Sequence, residues 1–253
     1  MATAARPRHP RDGGYARGEE TRQRIIEAAL DLFGENGFEG TSTRQIAARA
    51  GVNAPALQYY FENKEGLYLA CARYIADHSW ARLAPPVERA EALLARADTS
   101  PGRLIGAFCD IQEVIADYLL GPDASKTQSW RLFVAREQGG RGKDGPGGGI
   151  AFNVIFRSVS GRVFDVGAQL VSRITGLPPD DPLTLIRMMT LKGPLMYFHG
   201  GRSTALAALG WDRIDDARLE MLKRAAREQT GVLLRHWRAQ GRRAGGDQRW
   251  RRR

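Results

Sequence analysis

Residues 41–65 read TSTRQIAARAGVNAPALQYYFENKE, and this stretch carries the start and stop signals of two short helices. Ser42, with Gln45 three residues later, forms a capping box that predicts a helix starting directly after it. Gly51 suits the left-handed backbone at the end of that helix. Asn53 is a good N-cap for a second helix, which comes after a tight turn. The pattern predicts a helix-turn-helix unit, whose second helix fits the major groove of DNA.

Longer helices are predicted on both sides of this unit. One should run from about Glu19 to Asn36, where apolar residues recur at helical spacing. Another should run from Lys64 to about Leu83, because Asn63 caps its start and Pro85-Pro86 follows its end. This second helix would connect the helix-turn-helix to the rest of the chain.

Residues 19–68 resemble the N-terminal DNA-binding domain of TetR/AcrR-type bacterial transcriptional regulators. The chain departs from the family pattern at Pro55, where a small residue is usual, and at Gln58, where Tyr is commonest. Both positions face DNA in the family, so the departures bear on the operator sequence. The positions that carry the resemblance are co-linear with the pattern: Ala28, Ala29, Phe33, Gly37-Phe38, Thr41 to Thr43, Ile46-Ala47, Ala50-Gly51-Val52, Leu57, Tyr60-Phe61 and Lys64-Glu65-Gly66-Leu67.

The resemblance implies which residues contact a double-stranded DNA operator. Gln58 lies at the base-reading position, and glutamine can pair with N6 and N7 of adenine. Thr43 and Lys64 lie at helix starts, where backbone amides favour phosphate. Tyr60 corresponds to an aromatic residue that contacts the DNA backbone, although a core position fits it nearly as well. The predicted DNA-binding residues are Thr43, Arg44, Asn53, Ala54, Pro55, Gln58, Tyr59, Tyr60 and Lys64.

The remainder of the chain is predicted to be helical, because strand-like alternation with turn pairs is absent. Gly193-Pro194 predicts a kink within one of these helices. The helical segments lie near 87–97, 103–120, 126–138, 150–175, 182–199 and 212–238. We therefore predict an all-α fold, in which an N-terminal three-helix DNA-binding domain with a helix-turn-helix precedes a helical bundle for effector binding and dimerisation.

The predicted domains rest on charge and composition as well as on the helices. The net charge of +10 lies in the tails, because residues 1–18 contain four arginines and one aspartate, and residues 235–253 contain eight arginines and one aspartate. We expect a disordered basic arm at 1–18, the DNA-binding domain at 19–66, the effector and dimerisation domain at 67–240, and a disordered basic tail at 241–253. Whether the arm is merely solvated or lies on DNA stays open.

The middle helices carry a set of large apolar side chains. The resemblance implies that this region encloses a small-molecule effector, which would tilt the connecting helix and separate the recognition helices. Such residues at helical spacing also fit a hydrophobic core. The predicted pocket is formed by Phe108, Ile111, Tyr118, Trp130, Phe133, Phe152 and Phe156, with a lipophilic effector. The glycine-rich run 139–149 is interpreted as a loop that could act as a gate.

The resemblance also implies a symmetric homodimer, built by the last two long helices, 182–199 and 212–238. Some of the candidate residues could instead belong to the core of one chain. The predicted dimer residues are Leu185, Met188, Met189, Leu195, Leu219, Leu222 and Leu233. Separately, the stretch 133–138 and the corner 209–211 resemble a subgroup with its own type of C-terminal domain, linked to efflux and the response to toxic compounds.

Enzymatic motifs are absent from the sequence. The glycine-rich run does not match a phosphate-binding loop, and the four histidines do not pair at metal-ligand spacing. No stretch reaches the about 18 to 20 apolar residues of a membrane span. We expect no catalytic site, cofactor, metal or membrane partner, and a bacterial, cytoplasmic protein that associates with the nucleoid when bound. A repressor released by its effector is favoured over an activator or a constitutive architectural DNA-binding protein.

Overall fold

The computed structural model describes the backbone of residues 12–121, 128–139 and 149–250, and this part of the chain forms helices and no β-strand. The all-α prediction is confirmed. The helices are α1 (Asp12–Asn36), α2 (Thr43–Ala50), α3 (Ala54–Tyr60), α4 (Lys64–Leu94), α5 (Pro101–Leu120), α6 (Gln128–Gly139), α7 (Ile150–Ile155), a π-helical segment (Phe156–Ser160), α8 (Gly161–Thr175), α9 (Pro182–Gly200), α10 (Arg202–Leu209) and α11 (Asp216–Trp250).

The chain divides into two compact units. The first unit comprises residues 1–75 and 128–154, and the second comprises residues 76–127 and 155–253. In the first unit α1 buries the apolar stripe expected from its sequence, and α2, α3 and α4 add side chains to the same interior. The fully buried members of this interior are Ile25, Ile26, Leu30, Phe33, Ile46, Leu57, Leu67 and Phe133.

The second unit is a bundle in which α5, α8, α9 and α11 share an apolar interior. Phe108, Leu170 and Leu191 lie in one cluster, and Leu120 and Leu195 lie in another. Gln112 is buried between three helices: its side-chain amide donates to the carbonyl of Leu191 at 2.8 Å and accepts from the hydroxyl of Thr230 at 2.8 Å. Both ends of this polar group are therefore paired, as burial requires.

The predicted end of the fourth helix near Leu83 is wrong. α4 continues through Pro85 and Pro86 to Leu94, so the segment expected at 87–97 is not a separate helix. Two prolines remove two backbone donors and each disfavours a helix interior by about 3 kcal/mol. Val87, directly after Pro86, and Ala90, about one turn later, are fully buried, and this packing offsets the local cost.

Other helix boundaries also differ from the prediction. α1 begins at Asp12 rather than near Glu19, and α11 continues to Trp250 rather than ending near 238. The single helix expected over 150–175 is interrupted by the π-helical segment, where the amide of Gly161 bonds to the carbonyl of Phe156. α10 was not predicted. The interpretation of the glycine-rich run as a gate concerns residues of which 140–148 lie outside the described part of the chain.

Candidate nucleic-acid interface

The start of α2 has the capping box that the sequence predicts. The hydroxyl of Ser42 accepts from the amide of Gln45 at 3.2 Å, and the side chain of Gln45 accepts from the amide of Ser42 at 2.8 Å. Ahead of it, the buried hydroxyl of Thr41 bonds to the carbonyls of Leu32 at 3.0 Å and Gly37 at 2.8 Å. The turn between α1 and α2 is thereby fixed, and the N-terminus of α2 is held in one position.

The turn between α2 and α3 is also set by local chemistry. Gly51 adopts the left-handed conformation, with φ 66° and ψ 34°. Glycine adopts it without steric strain because it has no Cβ. The amide of Val52 then bonds to the carbonyl of Ala47 at 2.9 Å. Asn53 caps α3 by accepting from the amide of Ala56 at 2.8 Å, and Pro55 occupies the first turn. Together these contacts set the orientation of α3, a short helix in which Leu57 is the buried residue.

The two faces of α3 differ in burial. Leu57 is buried, as is Phe61 directly after the helix, whereas Gln58 is exposed and Tyr59 is 84% exposed. Tyr60 is half-buried, with its ring 5.2 Å from that of Tyr59. Gln58 and Tyr59, predicted to contact DNA, therefore share the outer face of α3. The half-burial of Tyr60 fits both a contact with the DNA backbone and a place in the core. Arg44, Asn53, Ala54 and Pro55 are exposed as well.

Thr43 and Lys64 flank one concave surface of the first unit. An open depression of about 400 Å³ is lined by Glu39, Gly40, Thr41, Ser42, Thr43, Gln45 and Lys64. The ammonium of Lys64 lies 4.3 Å from the centre of the Phe38 ring, which holds it beside the start of α2. One cation and the free amides of a helix N-terminus favour an anion such as phosphate.

The residues of the predicted effector pocket are divided between the two units. Trp130, Phe133 and Phe152 belong to the first unit, where Phe133 is buried and Trp130 packs edge-on against Tyr74. Phe108, Ile111, Tyr118 and Phe156 belong to the second unit. Phe108 and Ile111 are buried in its core, and Phe156 is exposed.

Tyr118 lies beside a cavity of the second unit. Its hydroxyl accepts a hydrogen bond from Ser79 at 2.8 Å. The cavity has a volume of about 310 Å³ and is lined by Arg82, Asp117, Tyr118, Gly121, Asp216, Leu219 and Glu220. Of the predicted pocket residues, Tyr118 is the one that lines this cavity, whose other lining residues include charged side chains that the prediction did not include.

Several of the predicted dimer residues are buried inside their own chain. Met188, Leu195 and Leu219 lie in the apolar clusters of the second unit and have no surface left for a partner, while Leu222 and Leu233 pack partly against them. Leu185 is half-buried and Met189 is exposed. The outward faces of the same helices carry a different apolar set: Leu183, Ile186, Met189, Met196 and Tyr197 on α9, and Met221 and Val232 on α11.

The described residues contain no group of three or more His, Cys, Asp or Glu side chains placed to hold a metal ion. Within the same part of the chain, no helix is long and apolar enough to cross a membrane.

A capped helix-turn-helix with an exposed second helix, beside a depression lined by Thr43 and Lys64, is typical of a DNA-binding regulator. The family described as bacterial regulatory proteins, tetR family, matches residues 25–71, and the C-terminal domain of the HTH-type transcriptional dual regulator CecR matches residues 110–236. The chain belongs to the TetR family of transcriptional regulators, with a C-terminal domain of the CecR type. Members of this family are DNA-binding regulators and not enzymes.

Individual relatives agree with this assignment. The dual regulator CecR of Shigella flexneri is 29% identical over 218 residues, which cover 86% of this chain and 93% of that protein. The HTH-type transcriptional regulator RutR of Escherichia coli K12 is 53% identical over 53 residues, or 21% of this chain and 25% of that protein.

Solved structures show the shared fold. The crystal structure of AibR in complex with isovaleryl coenzyme A and operator DNA has a TM-score of 0.55 at 16% identity, covering 85% of this chain and 98% of that chain. A transcriptional regulator from Rhodococcus sp. Rha1 has a TM-score of 0.52 at 20% identity, and the match covers 85% of this chain and 96% of that chain.

Proposed function

We propose that the chain is a repressor that binds a palindromic operator as a homodimer and is released from it by a lipophilic small molecule. It would act in the bacterial cytoplasm, on the nucleoid. The observation that carries the proposal is the outer face of α3, where Gln58 and Tyr59 are exposed on a helix fixed by caps at both ends. Domain boundaries at 66 and 240 remain part of the proposal.

The DNA contact would divide into positioning and reading. Thr43 at the start of α2 and Lys64 at the start of α4 would hold phosphates on either side of α3, and Arg44 would add another. α3 would enter the major groove, with Gln58 directed to a base edge. Asn53, Ala54 and Pro55, at the N-terminal end of α3, would lie close to the same groove.

The homodimer would be formed by the outward faces of α9 and α11. Arg187 stacks on Trp237 at 5.1 Å and Gln112 links Leu191 with Thr230, so the two helices run antiparallel. A second copy would cover the apolar residues that these helices expose, which include Ile186, Met189 and Val232. A symmetric pair is favoured because one domain reads only a few base pairs.

The effector would bind in the second unit, at the cavity beside Tyr118. Phe108, Ile111 and Tyr118 share a face of α5 at helical spacing, and the cavity lies at the Tyr118 end of that face. Its volume of about 310 Å³ suits a small molecule. AibR, which shares the fold, was crystallised in complex with isovaleryl coenzyme A and operator DNA. The ring of Tyr118 and Leu219 would contact the apolar part of the effector, and the charged lining residues Arg82, Asp117, Asp216 and Glu220 would contact its polar groups.

Activation at some promoters is the second candidate function. The relative that matches 86% of this chain is named a dual regulator. A dimer bound upstream of a promoter rather than across it would activate without any change in the DNA contact. Transcription in vitro from templates with the site in both positions separates the two functions.

The effector part of the proposal is tested by loss of DNA binding. Hydrophobic drugs and metabolites are screened for compounds that release a selected DNA site from the purified protein. Release requires that the ligand favour the incompetent state by about 5 kcal/mol for a nearly complete shift. Tyr118→Ala should change the response to an active compound and leave ligand-free affinity intact, whereas Phe156→Ala, at an exposed residue, should change neither. Compounds that bind and leave DNA affinity unaltered would contradict regulation by release.

A further inference from the structure

α6 lies between helices of the second unit in sequence but packs within the first unit. Its residues come after α5, yet the hydroxyl of Ser129 bonds to the carboxylate of Asp31 at 2.5 Å. At Gly34, α1 approaches α6 so closely that a side-chain carbon there would lie 2.7 Å from the carbonyl oxygen of Ser129. A segment distant in sequence is thus built into the unit that carries the helix-turn-helix.

Arg136 of α6 caps the end of α1. Its guanidinium donates to the carbonyl of Gly34 at 2.8 Å and to that of Glu35 at 2.7 Å. The last carbonyls of a helix have no partner within the helix, and a cation is favourable there. The chain turns directly afterwards at Gly37, with φ +76°, and leads to the capped start of α2. Arg136 therefore steadies the turn that presents the N-terminus of α2.

Glu137, the next residue, accepts two hydrogen bonds. The hydroxyl of Tyr68 donates to one carboxylate oxygen at 2.6 Å, and the amide of Phe152 donates to the other at 3.0 Å. Burial and the adjacent carboxylate raise the pKa of Tyr68, so its hydroxyl stays protonated and remains a donor. Gly149 packs against the same carboxylate, and a side chain at this position would displace it.

Tyr68 connects Glu137 to the predicted phosphate contact. Its ring meets the ring of Phe133 at 4.6 Å and the ring of Phe38 edge-on at 4.9 Å. The ammonium of Lys64 lies on Phe38 at 4.3 Å. A continuous series of contacts through Tyr68 and Phe38 therefore joins α6 to Lys64.

We propose that Arg136 and Glu137 are positioning residues for DNA binding, which hold the start of α2 and the ammonium of Lys64 in the geometry that two phosphates require. The inference rests on the proposed function. Residues 128–154 continue into the second unit at both ends of the segment. A displacement of α6 that breaks these contacts lowers DNA affinity, and the segment is a second covalent route from the second unit, besides α4.

The test is a double-mutant cycle on DNA affinity with Tyr68→Phe and Lys64→Ala. Tyr68→Phe removes the hydroxyl that binds Glu137 and keeps the ring. It should lower affinity about fivefold in the otherwise unchanged protein, at the lower end of couplings between sites. In the Lys64→Ala protein the same substitution should have little further effect, because its influence passes through Lys64. Lys64→Ala alone should lower the slope of log affinity against log salt by about one per half-site.

Two matched controls separate positioning from stability. Tyr74→Phe removes the hydroxyl of another tyrosine on α4, which bonds to Gln23, and should leave DNA affinity unchanged. Arg136→Ala should weaken DNA binding, whereas Arg173→Ala, which uncaps the end of α4 at Leu94, should not.

Each outcome of the cycle has a definite meaning. An equal loss from Tyr68→Phe in both backgrounds would mean that the contact only stabilises the fold, and no loss at all would mean that Lys64 is positioned without it. Either result overturns the role of Glu137, and unchanged DNA affinity in Arg136→Ala would overturn the role of Arg136; both leave the proposed function standing. Failure of the unmodified protein to prefer any DNA sequence would overturn the proposed function itself.

Discussion

Gln58 and Lys64 have different tasks in the proposed DNA contact. Gln58 is exposed on the outer face of α3 and carries an amide that can pair with an adenine. Lys64 is a cation beside a helix N-terminus and carries no sequence information. Loss of the first residue should alter sequence preference, and loss of the second should weaken all DNA alike.

Gln58→Ala should cost about 1–3 kcal/mol at a selected site and relax one position in each half-site. The measurement is titration of the protein with the selected duplex and with duplexes altered at single positions. Gln169→Ala, at an exposed glutamine on α8, is the matched control and should bind like the unmodified protein. Unchanged discrimination at every position would remove Gln58 from the reading of bases.

Much of the helix-turn-helix could be predicted, because its capping interactions are local in sequence. Ser42 with Gln45, Gly51 and Asn53 act within four residues of themselves, and the structure has each of their caps. Arg136, by contrast, caps α1 through bonds to Gly34 and Glu35 that span about a hundred residues. No local pattern marks such a contact.

At the scale of helices, the predicted dimer residues show what helical periodicity alone cannot decide. α9 is apolar on more than one side, and a period of 3.6 residues does not tell which stripe packs inside the chain. Met188 and Leu195 form the inner stripe, whereas Ile186 and Met189 form the outer one. At Pro85-Pro86, local propensity predicted a break in the helix, but the burial of Val87 keeps α4 continuous.

Ile186→Glu should produce monomers, because the proposed interface would bury an unpaired charge. Ile186 is 58% exposed in the single chain, so the substitution should leave the subunit folded. Light scattering gives the mass, and circular dichroism checks the helix content. Leu209→Glu places the same charge at an exposed residue of α10 and should remain dimeric. A dimer that survives Ile186→Glu and Val232→Glu would locate the interface elsewhere.

At the scale of the whole molecule, the chain passes between its two units three times: within α4, after residue 127 and after residue 154. The helix-turn-helix was predictable from sequence, and so was the helical nature of the C-terminal region. The inclusion of 128–154 in the unit that carries the helix-turn-helix was not predictable, because it depends on packing between segments far apart in sequence. Under the proposed function, this inclusion would give an effector two covalent routes to the DNA contact.

Selection of bound duplexes from a random pool at physiological salt tests the central claim most directly. A symmetric reader with α3 in the major groove predicts an enriched palindrome, with half-site centres about one helical turn, or about 10 base pairs, apart. Gln58→Ala should enrich a palindrome of the same spacing with one position relaxed in each half. Enrichment of no sequence, or of a single half-site without symmetry, would contradict the account of the protein as a dimeric, sequence-specific regulator.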